Sequence, residues 1–442
     1  MPPPRSRAGR NAAFGMAPAP DDVRARGCAA LAALAPGNDL ALAVSGGADS
    51  LALLLIAEDW ARAAPGRRLH VLTVDHGFRP EAAAEAAGVA ALAHARGHAA
   101  AVLSPVAALP RRGLEAAARA ARYDLMAGWC RARGIACLAT GHTADDQAET
   151  LLLRLQRGSG LDGLAAMAPD SRRLGLRLLR PLLGLDRAGA RALVLAAGLP
   201  VIDDPMNEDE RFARVAVRRA IAALGLDAPG LAATAARLDR DRRAIAAAVA
   251  ELAGAAVALS PWGTARLARP ALRGRPAPFV ERLLAGLVRA VGGEDHPPRR
   301  DRLDRLAALL AGEGRFPGAT LGGCRFLAGE EAVAVLREAR HLGPDLVLRA
   351  GESGVWDRRF EATAGPEAVT IAALGTCKPA GLPSLSLAER RVLPAVFRDG
   401  ALIAVPALHF GTPLAAELRY CGANVLVPDG WQGVVYRQRH TI

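Results

Sequence analysis

Short apolar runs alternate with amphipathic stretches between residues 21 and 149. The apolar runs predict strands at 40–44, 69–74, 100–103 and 135–139, and the other stretches predict helices at 50–60, 81–96 and 115–133. Because strands separated by helices of this length form right-handed βαβ units, this region predicts an α/β fold with a parallel sheet. Ligands of such sheets bind beyond the carboxyl ends of the strands. Polar, glycine-containing clusters follow three of these ends, at 45–50, 75–79 and 141–149.

The pattern changes in the second half of the chain. Residues 220 to 310 are rich in alanine and leucine at helical spacing, and the sequence after Gly343-Pro344 is rich in valine, glycine and proline, as in a small β-containing module. We predict four parts: a disordered basic tail at 1–20, a catalytic α/β domain at 21–219, a helical domain at 220–342, and a small α+β domain at 343–442.

Composition excludes several protein classes. With 442 residues, 51% of them apolar and 23% charged, the chain can bury the cores of two or three domains. Basic residues outnumber acidic residues by 56 to 44, so a polyanion is the expected partner. Lys378 is the only lysine and precedes a proline, which excludes a Walker-A P-loop with its Gly-Lys-Ser/Thr sequence.

Cysteine content and hydropathy indicate a reduced, cytoplasmic protein. None of the six cysteines pairs as Cys-x-x-Cys, so zinc ribbons, thioredoxin-like sites and c-type haem attachment have no support. No run of about 18 apolar residues is present, and no membrane partner is expected. The basic stretch before Asp21, with Arg5, Arg7 and Arg10, has a composition like that of a transit peptide, but it is short and rich in proline, which favours a disordered tail.

The cluster after the first strand has the features of an anion site. It consists of Ser45, Gly46, Gly47, Ala48, Asp49 and Ser50. Two consecutive glycines let backbone N–H groups approach a ligand closely, and the following helix adds its positive N-terminus. Asp49 suits phosphates only with a cation between them, so it is a candidate Mg²⁺ ligand. The alternative is an ordinary strand–helix turn in which Asp49 or Ser50 caps the helix.

The cluster after the fourth strand places carboxylates on one face of a helix. Its candidate residues are Gly141, His142, Asp145, Asp146 and Glu149. Carboxylates three and four residues apart can together hold Mg²⁺, bind an ammonium group or accept a proton. The local alternative is a capping box in which Thr143 and Asp146 satisfy the helix N-terminus.

Other polar residues near the strand ends suit an anionic ligand. His76 could bond a base or a phosphate and Arg79 could neutralise one; the alternative is a solvated loop. In the helix after the third strand, Glu115 and Arg119 form an ordinary i,i+4 pair, which leaves Arg122 for an anion.

Together these motifs resemble a known family. Ser-Gly-Gly-x-Asp-Ser resembles the pyrophosphate loop of the PP-loop ATP-pyrophosphatase superfamily, whose fold is adenine nucleotide alpha-hydrolase-like and whose members split ATP into AMP and pyrophosphate. The order SGGADS, VDHGFR, EAAARAARY and GHTADDQAET, followed by RGSGL and RPLL, resembles the tRNA(Ile)-lysidine synthetase family over residues 40–183. That family usually has an Arg-Asn pair farther on, whereas here Arg214 precedes Val215 and Arg218 follows.

The resemblance implies an ATP-dependent ligase that joins free L-lysine to C2 of the wobble cytidine in a CAU-anticodon tRNA(Ile), through an adenylated cytidine, with release of AMP and pyrophosphate. It implies Mg²⁺ ligation by Asp49 and Asp145. Nucleotide binding would fall to Ser45, Gly46, Gly47, Ala48, Asp49, Ser50, His76, Gly141 and His142. The catalytic residues would be Asp49, Arg122, Asp146 and Glu149.

The rest of the chain would serve the tRNA. Arginines between Arg237 and Arg243, together with Arg437 and Arg439, are candidate phosphate contacts, and the alternative for each is a solvated surface. A homodimer is compatible with the sequence.

Three rival functions fit parts of the sequence. A tRNA thiolase shares the PP-loop and the tRNA substrate but normally displays catalytic or cluster-binding cysteines, and Cys130 and Cys137 lack such spacing. A small-molecule ligase such as NAD synthetase would not need a basic helical appendage. A non-catalytic RNA-binding module would not need Asp49, Asp146 and Glu149 intact.

Overall fold

The computed structural model describes residues 19–35, 37–75, 77, 80–105, 114–203, 213–294, 296–382, 385–412 and 415–421. The chain divides into two compact units, Met1–Arg242 and Arg243–Ile442. The predicted tail lies outside the described residues up to position 18. Within the described ranges, no helix is long and apolar enough to cross a membrane.

The first unit alternates helices and strands. Its helices are α1 (Pro20–Leu34), α2 (Ala48–Arg62), α3 (Pro80–Ala95), α4 (Leu114–Arg131), α5 (Ala144–Gln156), α6 (Leu161–Leu164), α7 (Arg187–Ala196) and α8 (Ala213–Ala223), and α9 (Ala228–Ala256) begins in it. Its strands are β1 (Asp39–Ala43), β2 (Arg68–Val74), β3 (Ala99–Leu103), β4 (Cys137–Thr140), β5 (Asp170–Arg173) and β6 (Leu176–Leu179). The strands and helices predicted between 40 and 139 all form, with small shifts at their ends.

The six strands form one sheet in the order β3-β2-β1-β4-β6-β5. All neighbours pair in parallel except β5 with β6. β1 is central and buried on both faces, which is why it reads as a continuous apolar run. The chain moves from β1 toward β3 on one side and returns to β4 on the other, so β1 and β4 border a topological switch point, where open α/β sheets bind ligands. The predicted parallel α/β fold is confirmed.

Helices cover both faces of this sheet. Four helices, α1, α2, α3 and α7, bury apolar side chains against one face, among them Leu31, Ile56, Trp60, Val89 and Leu193. Helix α4 covers the other face with Tyr123, Met126 and Cys130, which pack near Leu138 and Leu178. The layers hold the carboxyl ends of β1 and β4 side by side, since Ala43 is in register with Thr140.

Two glycines allow close contacts at this edge. A Cβ on Gly141, just after β4, would lie 2.7 Å from the carbonyl oxygen of Asp49. Gly46 has φ of 86°, and a Cβ there would lie 2.4 Å from the Cδ1 atom of Ile202, whose N–H donates to the Gly46 carbonyl at 3.0 Å. Glycine accepts the positive φ at position 46 and the close contacts at positions 46 and 141. These two residues therefore bring the loop after β1 against Ile202 and against the end of β4.

The second unit combines helices with antiparallel sheets. Its helices are α10 (Ala277–Gly292), α11 (Arg300–Ala311) and α12 (Leu387–Arg390). One sheet, in the order β7-β8-β11-β10-β9, contains β7 (Val257–Leu259), β8 (Ala265–Ala268), β9 (Ala319–Leu321), β10 (Cys324–Phe326) and β11 (Ala332–Arg337). The segment predicted as helical therefore also carries strands, which are too short to dominate its periodicity.

Two further sheets follow in the second unit. The sheet β12-β15-β16-β17-β18 contains β12 (Leu346–Leu348), β15 (Val369–Ala373), β16 (Pro394–Arg398), β17 (Ala401–Val405) and β18 (Phe410–Gly411). The sheet β13-β14-β19 contains β13 (Ser353–Trp356), β14 (Phe360–Ala364) and β19 (Ala416–Tyr420).

A buried ion cluster spans the predicted boundary at 342–343. Asp357 accepts from Arg337 at 3.1 Å and from Arg359 Nε at 2.7 Å, and all three side chains are 1% exposed. Arg359 also donates to the carbonyls of Gly263 and Val291, at 3.2 and 3.1 Å. Separating a buried ion pair leaves uncompensated charges. These bonds therefore favour a single unit that contains the residues on both sides of position 343.

Replacing Gly141 with Ala tests the close approach between the end of β4 and the start of α2. The added methyl group would press on the backbone of Asp49 and Ser50, so we expect G141A to lower the unfolding free energy by about 1–3 kcal/mol. Gly128 lies inside α4 with no heavy atom within 4 Å of a built Cβ. The matched control G128A should therefore leave stability unchanged or raise it slightly. Urea unfolding of both variants measures this, and equal midpoints would contradict the expectation.

Candidate active site

The loop between β1 and α2 closes on itself. Ser50 Oγ donates to the Gly47 carbonyl at 2.8 Å and accepts from the Ser45 N–H at 3.1 Å. Gly47 is the N-cap residue of α2 and has no side chain with which to cap it. The first N–H groups of a 15-residue helix thus face the loop, in the arrangement that binds phosphate. Neither Asp49 nor Ser50 acts as the helix cap.

Three carboxylates converge beside this loop on one arginine, Arg187. Its Nε lies 3.3 Å from Asp49 Oδ2, its Nη2 3.2 Å from Asp146 Oδ1 and its Nη1 3.4 Å from Glu149 Oε1. Glu149 is 1% exposed and also accepts from Arg218 Nε at 2.9 Å. Asp49 opens α2 and the other two lie on α5, so the parallel pairing of β1 with β4 brings the three together.

The capping interpretation of the α5 cluster is also correct. Asp146 Oδ2 accepts from the Thr143 N–H at 2.8 Å, which completes a capping box, while Oδ1 faces Arg187. Asp145 Oδ2 accepts from the backbone N–H of Arg187 at 2.8 Å. Gln147 exchanges two hydrogen bonds of 2.8 Å with the backbone of Met167. Asp146 therefore serves the helix and the site at once.

The carboxylates differ in proton affinity. Burial, aided by repulsion from Asp146 and Asp145, raises the pKa of Asp49 to about 6, although Arg187 opposes the shift. Burial also disfavours the charge of Asp146, but Arg187 and the Thr143 N–H outweigh it and lower the pKa of Asp146. Burial alone would lower the pKa of Arg187, and the surrounding carboxylates reverse this and raise it. Asp49 thus binds a proton more readily than Asp146 does.

The donor set fits a hard cation at Asp49. Asp49 Oδ1 and Glu149 Oε2 are buried without a hydrogen-bond partner, and carboxylate oxygens are the ligands that Mg²⁺ prefers. Among the described residues, however, no three His, Cys, Asp or Glu side chains are grouped to hold a metal ion by themselves. Such a site would need ligands from the substrate, as is usual for Mg²⁺. Asp145 is occupied by the α7 backbone, and its role as a ligand stays a prediction.

An arginine cluster borders the carboxylates. The guanidinium groups of Arg119, Arg122 and Arg173 lie 5.5, 5.6 and 4.4 Å from the ring centre of Tyr123. Burial and the neighbouring Arg214, Arg122 and Arg173 lower the pKa of Arg119. Among the described residues, no carboxylate forms an ion pair with the three arginines around Tyr123. Cations gathered without a counter-charge are suited to bind an anion.

His142 is neutral and lies near both Asp146 and the arginine cluster. Burial, and then the nearby Arg119, Arg180 and Arg122, lower the pKa of His142 to about 3, although Asp146 opposes this. Arg119 Nη2 lies 3.4 Å from Nε2, and Thr140 Oγ1 lies 2.8 Å from Nδ1. Because arginine only donates, Nε2 is the acceptor and Nδ1–H donates to Thr140.

The structure places most of the candidate residues at one edge of the sheet. The loop residues 45–50, Gly141, His142, Asp145, Asp146 and Glu149 lie there, and Arg122 lies in the arginine cluster. His76, Arg79, Arg437 and Arg439 lie outside the described residues, as does the side chain of Glu115.

Sequence reasoning missed the two arginines that contact the carboxylates, Arg187 and Arg218. One signal was available for Arg187, since it opens α7 directly after its N-cap Asp186. A cation at the positive end of a helix is unfavourable, and such local conflicts often mark functional positions.

Replacing His142 with Gln tests its neutral state. The folded pKa of about 3 lies below the value of about 6.5 for an unfolded histidine, so the unfolded chain takes up the proton first on acidification. Stability is therefore lost as the pH falls, and between about pH 7 and about pH 5 the wild type should lose up to about 2 kcal/mol more than H142Q. Urea unfolding followed by tryptophan fluorescence at both pH values measures the difference. Identical pH dependence of the two proteins would show that His142 is not held neutral.

Curated relatives of this chain show the family to which it belongs. A family model described as a PP-loop domain matches residues 22–224. The chain is 45% identical over 305 residues to a tRNA(Ile)-lysidine synthase of Methylobacterium sp. (strain 4-46), with 66% of this chain and 88% of the relative covered. It is 35% identical over 404 residues to that of Ruegeria pomeroyi, with 87% and 92% covered. A solved U34-tRNA thiolase from Methanococcus maripaludis has a TM-score of 0.44 and 16% identity, over 50% of this chain and 77% of that one. The chain therefore belongs to the tRNA(Ile)-lysidine synthase family of ATP-using C–N ligases.

Proposed function

We propose that this chain joins free L-lysine to C2 of the wobble cytidine in a CAU-anticodon tRNA(Ile), by way of an adenylated cytidine. One observation carries the proposal: the phosphate-type loop and the buried carboxylates share one edge of the sheet, and Asp49 belongs to both. A nucleotide phosphate chain and an ammonium group can therefore be bound side by side. The family supports ATP as the nucleotide.

The first step is transfer of AMP to the base. The C2 oxygen of the cytidine attacks the α-phosphorus of ATP, the bond from that phosphorus to the bridging oxygen breaks, and pyrophosphate leaves. The N–H groups at the start of α2 would hold the departing pyrophosphate. Mg²⁺, when bound, would neutralise charge on the phosphates, and Asp49 Oδ1 is the free oxygen suited to hold it.

The second step is attack by the lysine amine. The ε-ammonium group has an ordinary pKa of about 10.4, so it must lose a proton before its nitrogen can attack C2. Asp146 and Glu149 would bind the ammonium form, and Glu149 Oε2, which is buried and unpartnered, is an acceptor for its proton. The new C–N bond displaces AMP from C2 and leaves lysidine.

The arginine cluster would bind the RNA. A wobble base is unpaired and can be splayed into a pocket, where its edges and the adjoining phosphates are accessible. Arg119, Arg122 and Arg173 would neutralise these phosphates or the adenylate, and the His142 Nε2 acceptor lies next to them.

The buried cysteines argue against the thiolase alternative. Burial raises the pKa of Cys130 to about 11, and it raises that of Cys137 as well, which disfavours a nucleophilic thiolate. The reduced, cytoplasmic setting stays a prediction. The homodimer stays a prediction that sedimentation can measure.

The full chain, incubated with ATP, Mg²⁺, labelled lysine and a CAU-anticodon tRNA(Ile) transcript, tests the proposal. We expect label in the RNA, with AMP and pyrophosphate released in equal amount. A transcript with a UAU anticodon has no wobble cytidine and should take up none. RNA that stays unlabelled while the protein releases AMP with another substrate would overturn the proposal.

Replacing Asp146 with Asn tests the ammonium site. Asparagine keeps an oxygen for the Thr143 N–H, so the capping box should survive while the charge is lost. We expect kcat/KM for lysine to fall by about 100-fold or more. Release of pyrophosphate with ATP and tRNA alone should change much less. Asp124 is exposed on α4, and D124N is the matched control that should keep both activities. Unchanged lysine dependence in D146N would remove Asp146 from the site.

Replacing Arg173 with Gln tests the arginine cluster. Arg173 is exposed beside Tyr123, and its loss should weaken tRNA binding by about three- to tenfold and reduce the salt dependence by about one counterion. Arg133 stacks similarly on Trp129, at 4.1 Å, but lies before β4 at the opposite edge of the sheet. R133Q should bind tRNA like the wild type. Equal losses in the two variants would point to general charge instead of a defined site.

A further inference from the structure

The proposed ammonium site already contains a cation of the chain itself. Arg187 gives one nitrogen to each of Asp49, Asp146 and Glu149. On Asp146 and Glu149 it uses Oδ1 and Oε1, which are oxygens that a lysine ammonium group would need. Glu149 Oε1 already accepts from Arg187 and Arg218 together, so the competition falls on Asp146 Oδ1, where a second cation would be repelled by Arg187.

The guanidinium group of Arg187 makes longer contacts with its partners than the backbone N–H of the same residue does. Its three contacts with carboxylates are 3.2–3.4 Å long, whereas charge-assisted N–H···O bonds are typically about 2.7–2.9 Å. The backbone N–H of Arg187 bonds Asp145 at 2.8 Å, and the nearby bond from Arg218 to Glu149 is 2.9 Å. Thus the backbone is anchored, while the side chain bridges three partners without a paired contact to any of them.

The phosphate loop offers this side chain another partner. The contact with Asp49 lies in the first turn of α2, directly after Gly46 and Gly47. The Arg187 side chain is 29% exposed, so it is not fully enclosed by the protein. A triphosphate at the loop would bring several negative charges next to Nε, and an arginine fork binds phosphate as readily as carboxylate.

We propose that Arg187 is a positioning residue that substitutes for the lysine ammonium group until ATP binds. Without nucleotide, it occupies the position that the carboxylates share. With nucleotide, it moves to the phosphates and leaves Asp146 Oδ1, while Glu149 keeps its bond from Arg218, so that lysine binds after ATP. This proposal rests on the proposed function, because it takes lysine as the substrate of these carboxylates.

A fixed structural role for Arg187 leads to the opposite expectation. If the guanidinium group only held Asp146 and Glu149 in place, its removal would weaken lysine binding both with and without nucleotide. If it competes with lysine, its removal strengthens lysine binding in the absence of nucleotide. The sign of the change therefore separates the two roles.

Calorimetric titration of lysine into the full chain, with and without α,β-methylene-ATP and Mg²⁺, tests the proposal. For the wild type we expect the nucleotide analogue to tighten lysine binding by about tenfold or more. In R187Q, lysine should bind without nucleotide nearly as tightly as it binds the loaded wild type. R187K keeps a cation in the position, so it should keep the dependence on nucleotide. Arg191 lies one turn farther along α7, paired with Asp203 at the surface, and the matched control R191Q should behave like the wild type.

Three results would overturn the proposal: equal lysine affinity of the wild type with and without the analogue, weaker binding by R187Q in both states, or no lysine binding in either state. The wild-type comparison needs no variant and holds even if R187Q does not fold. Failure of the proposed function is a separate result, namely no lysine incorporation into the CAU transcript by the wild type. Incorporation together with nucleotide-independent binding would reject only the role of Arg187.

Discussion

Parallel pairing of β1 with both β2 and β4 is the constraint on which the site depends. It directs two chain segments almost 100 residues apart out of the same edge of the sheet. The absence of a Cβ at Gly141 then lets the end of β4 reach the backbone of Asp49. A shift of β4 by one residue would exchange its faces and rotate the start of α5 away from α2. The contacts of Asp49, Asp146 and Glu149 with one arginine thus follow from strand register.

Much of the α/β unit could be predicted from sequence because its signals are local. Buried parallel strands are apolar throughout, and glycine pairs mark the turns at their ends, so positions 40–139 were predicted nearly as they form. Three of the described strands around 257–337 have only three residues each, which is too few for a recognisable period. Their pairing is decided by packing against α10 and α11, which no local pattern records.

The site likewise contains residues that the sequence identifies and residues that it does not. Asp49, Asp146 and Glu149 could be identified because they stand in short motifs beside glycines. Arg187 and Arg218 reach the same point from other elements, and in a chain with 55 arginines a single arginine carries little information. For Asp146, the capping and the functional interpretation were alternatives in the sequence, yet each describes one oxygen of the same carboxylate. One side chain can satisfy both because a carboxylate has two acceptor atoms.

The internal hydrogen bonds of Ser50 have a consequence for the energetics of nucleotide binding. The loop from Ser45 to Ser50 is closed by its own side chain, and it continues into a helix with ten buried residues. Its backbone conformation is therefore established when the protein folds. A phosphate chain that enters this loop need not order it, so little conformational entropy is lost on binding and more of the hydrogen-bond energy appears as affinity.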